Sequence, residues 1–231
     1  MKILSIDTSC KTAMAAVAEG DSLLASILIR DHKTHSVKLL PAIESILAAA
    51  DTVPADLGLI AVTNGPGSYT GLRIGVTTAK TFAYSLGIPL IGIPSLEALA
   101  ASCPADADAL ICPMIDARNA RVYAALYQGG QERIPACVLD CESLCDRLKT
   151  EYGGRKILFT GDGILTNGAL LAERLGGMYR PLPAELSNGT PAAVSYLARL
   201  KYAAAERAGT LQSYTAERLK VEYYKNYTDS I

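Results

Sequence analysis

The chain has 231 residues, of which 50% are hydrophobic and 19% charged, and a formal net charge of -1, as expected for a globular protein of one or two domains. Because its lysines and arginines form no cluster that could neutralise several phosphates, we expect it to bind tRNA or DNA only weakly on its own. No apolar stretch approaches the roughly 20 residues of a membrane span, and Asp7 interrupts any signal-peptide core, so a cytoplasmic location is expected.

The first third of the chain predicts a strand meander followed by a helix and a further strand. Short apolar runs separated by turn residues indicate the strands, and apolar side chains at helical spacing indicate the helix. The predicted strands span residues 3–7, 13–18, 23–29 and 57–63, with a turn at 19–21 and the helix at 36–50.

A glycine-rich turn leads from the fourth strand into a second helix pattern at residues 72–86. Glycines in such a turn direct backbone N–H groups and the positive end of the helix dipole toward one point, which suits an anion. The spacing fits neither the Walker pattern nor G-x-G-x-x-G, and no lysine follows. Two interpretations stay open, the rim of a phosphate site or a helix-opening turn capped by Ser68 or Thr70. The glycines are Gly65, Gly67, Gly71 and Gly75.

The second half of the chain repeats this order of elements. Asp116 follows Asp7, and Gly129 follows Gly20, by the same offset of 109 residues. Two landmarks in one register favour a duplication, and two similar halves predict two layers that face a cleft. Strands are predicted at residues 110–116, 121–127, 134–139 and 157–160, and helices at 140–151 and near 191–208, the last packing back across the halves.

Asp7 and Asp116 are the strongest candidates for chemistry. Both follow the first strand of their half, where residues at carboxyl ends of strands face a ligand cleft in open α/β folds. Paired carboxylates there can hold a nucleotide-bound metal, and Thr8 and Ser9 could donate hydroxyl groups to phosphate. The alternative is that the two carboxylates only begin tight turns by accepting hydrogen bonds from backbone N–H groups.

Neither a metal site nor a nucleophile triad is predicted. The chain has two histidines, His32 and His35, without a nearby third ligand, and too few for a serine protease. The cysteines contain no Cys-x-x-Cys pair and are expected to be reduced and buried, including the group at Cys137, Cys141 and Cys145.

The helices at 36–50 and 72–86 carry few charges and are apolar round most of their circumference. A sheet can cover only one side of each, so their outer faces form a plausible patch for the helices of another protein. Burial within this chain is the alternative.

Four segments of this sequence resemble the TsaB family, also called YeaZ. They are Ile-Leu-Ser-Ile-Asp-Thr-Ser at 3–9, His-Ser-Val-Lys-Leu-Leu-Pro at 35–41, Gly-Pro-Gly-Ser-Tyr-Thr-Gly-Leu-Arg-Ile-Gly at 65–75 and Ile-Asp-Ala-Arg at 115–118. The match runs in order and continues to Gly161-Asp162-Gly163.

The resemblance implies the duplicated α/β fold of actin, hexokinase and related ATPases, the ribonuclease H-like fold, with a mixed sheet flanked by helices in each of two lobes. We expect the lobes at residues 1–100 and 101–231. The resemblance also implies no catalysis by this chain and no cofactor for it alone, with ATP or ADP possible in an assembled complex. No metal is carried over, because the His-x-x-x-His pair of TsaD is missing.

The function implied is that of a helper in forming N6-threonylcarbamoyladenosine at position 37 of tRNAs that read codons starting with A. The main partner implied is TsaD, the transferase, and the ATPase TsaE is expected to join the complex. The chain alone is expected to form a homodimer, and tRNA is expected to bind only indirectly. The alternative function is a small-molecule kinase or ATPase, and a peptidase is a third.

Two groups of site residues follow from the resemblance and the patterns. Substitution of Leu40, Ile43 or Val76 by Asp is expected to abolish binding to TsaD without unfolding the chain. The expected partner interface is Leu39, Leu40, Ile43, Leu47, Arg73, Val76, Lys80 and Tyr84, and the expected vestigial nucleotide cleft is Asp7, Thr8, Ser9, Gly65, Gly67, Ser68, Asp116 and Gly161.

Overall fold

The computed structural model describes residues 1–30, 35–104 and 106–224. These residues form two compact units. The first contains Met1–Ala98 and Thr190–Glu222, and the second contains Leu99–Gly189 with Tyr223 and Tyr224. The first unit is therefore built from two separate stretches of the chain.

The first unit has a five-stranded mixed sheet in the order β3-β2-β1-β4-β5. The meander β1-β2-β3 is antiparallel, and β4 and β5 extend it in parallel from β1. The elements are β1 Lys2–Asp7, β2 Ala13–Glu19, β3 Ser22–Ile29, α1 His35–Ala49, β4 Leu57–Gly65, α2 Tyr69–Leu86, β5 Leu90–Pro94 and α3 Ser95–Ala101, with short 3-10 turns at Pro54–Asp56 and Leu211–Ser213.

The second unit has a sheet of the same plan, in the order β10-β9-β6-β7-β8. Its meander β6-β7-β8 is again antiparallel, and β9 and β10 again run parallel to the first strand. The elements are β6 Leu110–Asp116, β7 Arg121–Gln128, β8 Gln131–Asp140, α4 Cys141–Tyr152, β9 Ile157–Thr160, α5 Gly163–Leu175, a 3-10 turn at Gly176–Met178 and β10 Tyr179–Pro181; α6 Pro191–Arg207 returns to the first unit.

The duplication predicted from the sequence is confirmed by this topology. Strand order and direction are identical in the two sheets, and β1 and β6 both end on an aspartate, Asp7 and Asp116. Each half thus repeats one mixed sheet with helices, and the predicted fold class is correct.

The sheet of the first unit is buried on both faces because its central strands are apolar on both sides. Leu4 and Ile6 pack with α1 and α2, whereas Ile3 packs with α6 on the opposite face. Alternate side chains of one strand point to opposite faces, so one short apolar strand serves two cores.

The core of the second unit lies between its sheet and helices α4 and α5. Cys112, Cys137, Cys141 and Cys145 belong to it, and all six cysteines of the chain are free thiols. Burial raises the pKa of Cys112, which keeps its thiol protonated. The prediction that these cysteines serve core packing is confirmed.

Helix α6 belongs to a different unit from the one that the predicted lobe boundaries gave it. The sequence placed all of 101–231 in the second lobe, but Val194, Leu197 and Ala198 pack on the first sheet, so α6 belongs to the first unit. A sheet that is apolar on both faces requires such a second cover. No helix among the described residues is long and apolar enough to cross a bilayer.

Asp140 should contribute measurably to the stability of the second unit as the N-cap of α4. Its two carboxylate oxygens accept hydrogen bonds from the backbone N–H and the hydroxyl of Ser143, at 2.8 and 2.7 Å. We expect Asp140→Ala to lower the free energy of unfolding by about 1 kcal/mol at neutral pH in urea denaturation, and Asp140→Asn to lower it much less, since its amide oxygen still accepts.

The same contact predicts a pH dependence. Hydrogen bonds from Ser143 hold the pKa of Asp140 below its ordinary value. Since the folded state has the lower pKa, the stabilisation is complete above the pKa of the unfolded chain and is lost as the pH falls through that of the folded protein. The wild-type advantage over Asp140→Ala should therefore shrink in acid, and equal unfolding curves at neutral pH would contradict the cap.

Candidate functional site

Asp7 lies at the carboxyl end of β1, in the middle of the first sheet, and is almost fully buried. Its Oδ1 accepts three hydrogen bonds, from Ser9 N at 2.9 Å, Ser9 Oγ at 2.7 Å and Thr63 Oγ1 at 2.7 Å. The carboxylate therefore closes the turn after β1 and ties it to β4. Of the two interpretations of Asp7, this geometry corresponds to the turn.

Thr8 fixes helix α2 against the same turn. Its buried hydroxyl donates to the carbonyl of Gly71 at 2.7 Å. A Cβ on Gly71 would lie 2.1 Å from the carbonyl oxygen of Thr8, and one on Gly75 would lie 2.2 Å from its Oγ1. Glycines four residues apart share one helix face, so α2 packs on Thr8 through a face that has no side chains at these two positions.

The loop before α2 packs on the turn in the same way. Ser68 N donates to the carbonyl of Ser9 at 2.7 Å, and a Cβ on Gly67, whose φ is +155°, would lie 2.3 Å from that carbonyl oxygen. The Ser68 hydroxyl accepts from Gly71 N at 3.2 Å and caps α2. Because of this cap α2 begins at Tyr69, three residues before the predicted start. These glycines permit close packing. The backbone N–H groups of Ser68 and Gly71 donate within the unit, to Ser9 O and to Ser68 Oγ.

A segment near the end of the described chain also contacts this region. Glu222 N donates to the carbonyl of Asn64 at 2.8 Å, while Asn64 Nδ2 donates to Lys220 O at 3.3 Å and to Glu222 Oε1 at 3.2 Å. A Cβ on Gly65 would lie 2.3 Å from the Glu222 carbonyl oxygen. Sequence reasoning missed Asn64 and Glu222, because nothing in either segment's pattern reveals a contact between them.

The second unit contains a related arrangement at the end of β6. Asp116 Oδ1 accepts from Arg118 N at 2.8 Å, and Asp116 N donates to Asp162 Oδ1 at 3.0 Å. Gly161 has a φ of +94°, and a Cβ there would lie 2.0 Å from the Met114 carbonyl oxygen.

The predicted nucleotide-cleft residues thus form two local groups. Asp7, Thr8, Ser9, Gly65, Gly67 and Ser68 lie in the first unit, and Asp116 and Gly161 lie in the second. Their use in one cleft stays a prediction.

In the first group, the two hydroxyls that follow Asp7 are used inside the unit. The hydroxyls of Thr8 and Ser9 both donate inside the unit, to Gly71 O and to Asp7. Among the residues that the structure describes, no three His, Cys, Asp or Glu side chains are grouped as metal ligands would be. His32 and the side chain of His35 lie outside the described part.

Half of the predicted partner interface is buried in the core. Leu39, Ile43 and Leu47 of α1 and Val76 of α2 are at most 5% exposed and pack against the sheet. Their assignment to a docking surface was wrong. On a helix that is apolar all round, the residue pattern does not tell which side faces the sheet.

The other predicted interface residues, with some neighbours, lie on the outer side of the same helices. Leu40 is 48% and Tyr84 is 75% exposed, and the guanidinium of Arg73 lies 4.0 Å from the centre of the Tyr69 ring. Lys80 and Tyr84 line a groove of about 390 Å³ with Glu217. We call the following residues the helix-pair surface: Val37, Leu40 and Pro41 of α1, and Tyr69, Arg73, Lys80 and Tyr84 of α2.

Comparison with known proteins gives consistent matches. The family model described as TsaD, tRNA N6-adenosine threonylcarbamoyltransferase, matches residues 23–162. The tRNA threonylcarbamoyladenosine biosynthesis protein TsaB of Bacillus subtilis is 39% identical over 206 residues, covering 88% of this chain and 90% of that protein.

Solved structures match the fold of the chain. YeaZ from Pseudomonas aeruginosa superposes with a TM-score of 0.75 at 23% identity, over 96% of this chain and 99% of that one. The ROK hexokinase from Thermus thermophilus has a TM-score of 0.50 at 12% identity, over 88% and 100% of the two chains. The fold is therefore that of the actin and hexokinase group.

Gly71→Ala tests whether the glycines are needed for close packing. In an ordinary helix this change is stabilising, but here the new Cβ meets the Thr8 backbone, so we expect the free energy of unfolding to fall by about 1–3 kcal/mol in chemical denaturation. Gly177→Ala is the control, because no atom lies within 4 Å of its Cβ position, and it should change stability by less than about 0.5 kcal/mol. Equal effects of the two changes would refute the packing role.

Proposed function

The chain belongs to the TsaB (YeaZ) family of tRNA threonylcarbamoyladenosine biosynthesis proteins, and we propose that it acts there as a noncatalytic subunit that binds TsaD through the helix-pair surface. TsaD is the partner proposed because its own family model matches 23–162 of this chain, which makes the two proteins relatives. Two identical chains pair through the same surface patch of each, and two related chains can pair through equivalent patches in the same way.

The observation that carries the proposal is the set of exposed apolar side chains on two neighbouring helices. Val37 is 70% and Leu40 48% exposed on α1, and Tyr69 is 56% and Tyr84 75% exposed on α2, and the two helices contact each other. Large side chains grouped on a surface mark partner sites, and tyrosine and arginine are the residue types that contribute most to such interfaces. Arg73, already stacked on Tyr69, presents both types at one place.

The noncatalytic role is supported by how the polar groups at the end of β1 are used. Asp7 accepts three internal hydrogen bonds, and Thr8 and Ser9 donate theirs inside the unit. A kinase or ATPase would need such groups directed at phosphate or a metal. The transfer chemistry is therefore assigned to TsaD.

The remaining partners follow from the same surface and charge. Without TsaD, a second copy would cover the apolar helix pair, giving a homodimer. TsaE and tRNA would bind the assembled complex, since a net charge of -1 gives this chain little attraction for nucleic acid. ATP or ADP would likewise bind only in the complex.

Leu40→Asp should weaken binding to TsaD at least about tenfold, which corresponds to about 1.4 kcal/mol, because it places a charge in the apolar contact. The matched control is Leu165→Asp on α5, since that leucine is 46% exposed against 48% for Leu40. Affinity is measured by calorimetry or co-elution, with circular dichroism to confirm folding. An unchanged affinity for Leu40→Asp would overturn the docking surface.

The two other substitutions expected to break the interface should instead unfold the chain. Ile43 and Val76 are buried, and an unpaired carboxylate in a core costs several kcal/mol.

Tight ATP binding in the presence of magnesium that Asp7→Asn abolishes would favour the kinase over the noncatalytic role.

A further inference from the structure

Strand β3 is the edge strand of the first sheet among the described residues. It pairs with β2 on one side, and no other described strand pairs with its outer side. Edge strands usually carry a charge or a proline that prevents a second strand from adding, yet Ser22–Ile29 contains neither. Leu23 is 47% and Leu28 is 50% exposed, so apolar side chains accompany the free backbone groups.

The register of β3 gives it an internal symmetry. Leu23 lies opposite Ala18, Ser26 opposite Ala16 and Leu28 opposite Met14, and Leu24 is the extra residue of a bulge. Leu23 and Leu28 are therefore each two β2 positions from Ser26. Because side chains alternate along a strand, these three residues share one face.

The charges that flank β3 are arranged with the same symmetry. Asp21 precedes the strand by one residue and Arg30 follows it by one, and both are exposed. Each lies one position beyond the strand ends, which are equally distant from Ser26. The edge thus has a negative end, an apolar middle and a positive end.

We propose that the outer edge of β3 pairs with β3 of a second copy of this chain, antiparallel about a two-fold axis through Ser26. In this arrangement Leu23 of each copy faces Leu28 of the other, and Asp21 of each faces Arg30 of the other. Antiparallel pairing is the one arrangement of two identical edges that matches both sets of charges at once.

The contacts of Asp21 within its own chain are compatible with this pairing. Arg199 Nη1 contacts its Oδ1, and the pair is exposed. Such exposed pairs contribute little to stability and leave the second carboxylate oxygen available. The paired edges would also give partners to backbone N–H and C=O groups on the outer side of β3, where no described strand pairs.

Disulfide formation at Ser26→Cys tests the two-fold axis. At the axis the two Cα atoms would be about 4.5–5.5 Å apart, a distance that a disulfide spans. The control is Ser22→Cys, an exposed serine of the same strand whose copies would be about 20 Å apart, six residues at about 3.4 Å each. Both are made in the full chain with Leu40→Asp, which blocks pairing through the helix-pair surface.

Under mild oxidation we expect at least about five times more covalent dimer from Ser26→Cys than from Ser22→Cys. The native cysteines interfere little, because five of the six are buried. Equal yields, or none from Ser26→Cys, would overturn the pairing. Either result leaves TsaD binding by the helix-pair surface untouched, since that proposal rests on other residues.

A charge exchange gives a second, independent readout. In the same Leu40→Asp background, Arg30→Asp places like charges opposite each other twice, so the dissociation constant of the β3 dimer from sedimentation should rise at least about tenfold. Adding Asp21→Arg reverses both charges and should restore the dimer. A dissociation constant that Arg30→Asp leaves unchanged, or that the double exchange fails to restore, would contradict the proposal.

Discussion

The close approach of α2 to the turn after β1 is the contact on which the first unit depends. Gly67 in the loop and Gly71 in α2 lie against the backbone of Ser9 and Thr8, and Gly75 of α2 lies against the Thr8 hydroxyl, with no side chain of their own between. This contact holds α2 against the turn after β1, and α2 in turn contacts α1. The buried sides of both helices pack on the sheet in one core.

Beside this contact, polar side chains that the sequence suggested for a ligand form internal hydrogen bonds. Every hydroxyl of Thr8 and Ser9 that could bind phosphate donates to Gly71 or Asp7 instead. In the second unit Asp116 Oδ1 accepts from the backbone of Arg118, and Asp162 Oδ1 accepts from the backbone of Asp116. Both units therefore use polar groups at these strand ends in internal hydrogen bonds.

Much of the fold could be predicted from the sequence. Strands and turns follow from local residue patterns, and the constant offset between Asp7 and Asp116 and between Gly20 and Gly129 is visible in the sequence as a repeat. The site was harder to predict. Burial of Ile43 and Val76 depends on which side of an apolar helix meets the sheet, and the contact of Glu222 with Asn64 joins segments far apart in the chain. The packing of α6 on the first sheet also joins segments far apart in the chain. Residue types and their spacing do not reveal contacts of this kind.

The division of the first unit between residues 1–98 and 190–222 has a consequence for biosynthesis. When the first five strands have left the ribosome, the sheet face that carries Ile3, Leu59 and Ile93 still lacks α6, which is synthesised about a hundred residues later. The second unit is contiguous over Leu99–Gly189 and can complete its core in the meantime. The unit that begins first is therefore finished last. Until α6 is made, its apolar sheet face is uncovered, and during this period the chain is most prone to aggregate or to bind a chaperone.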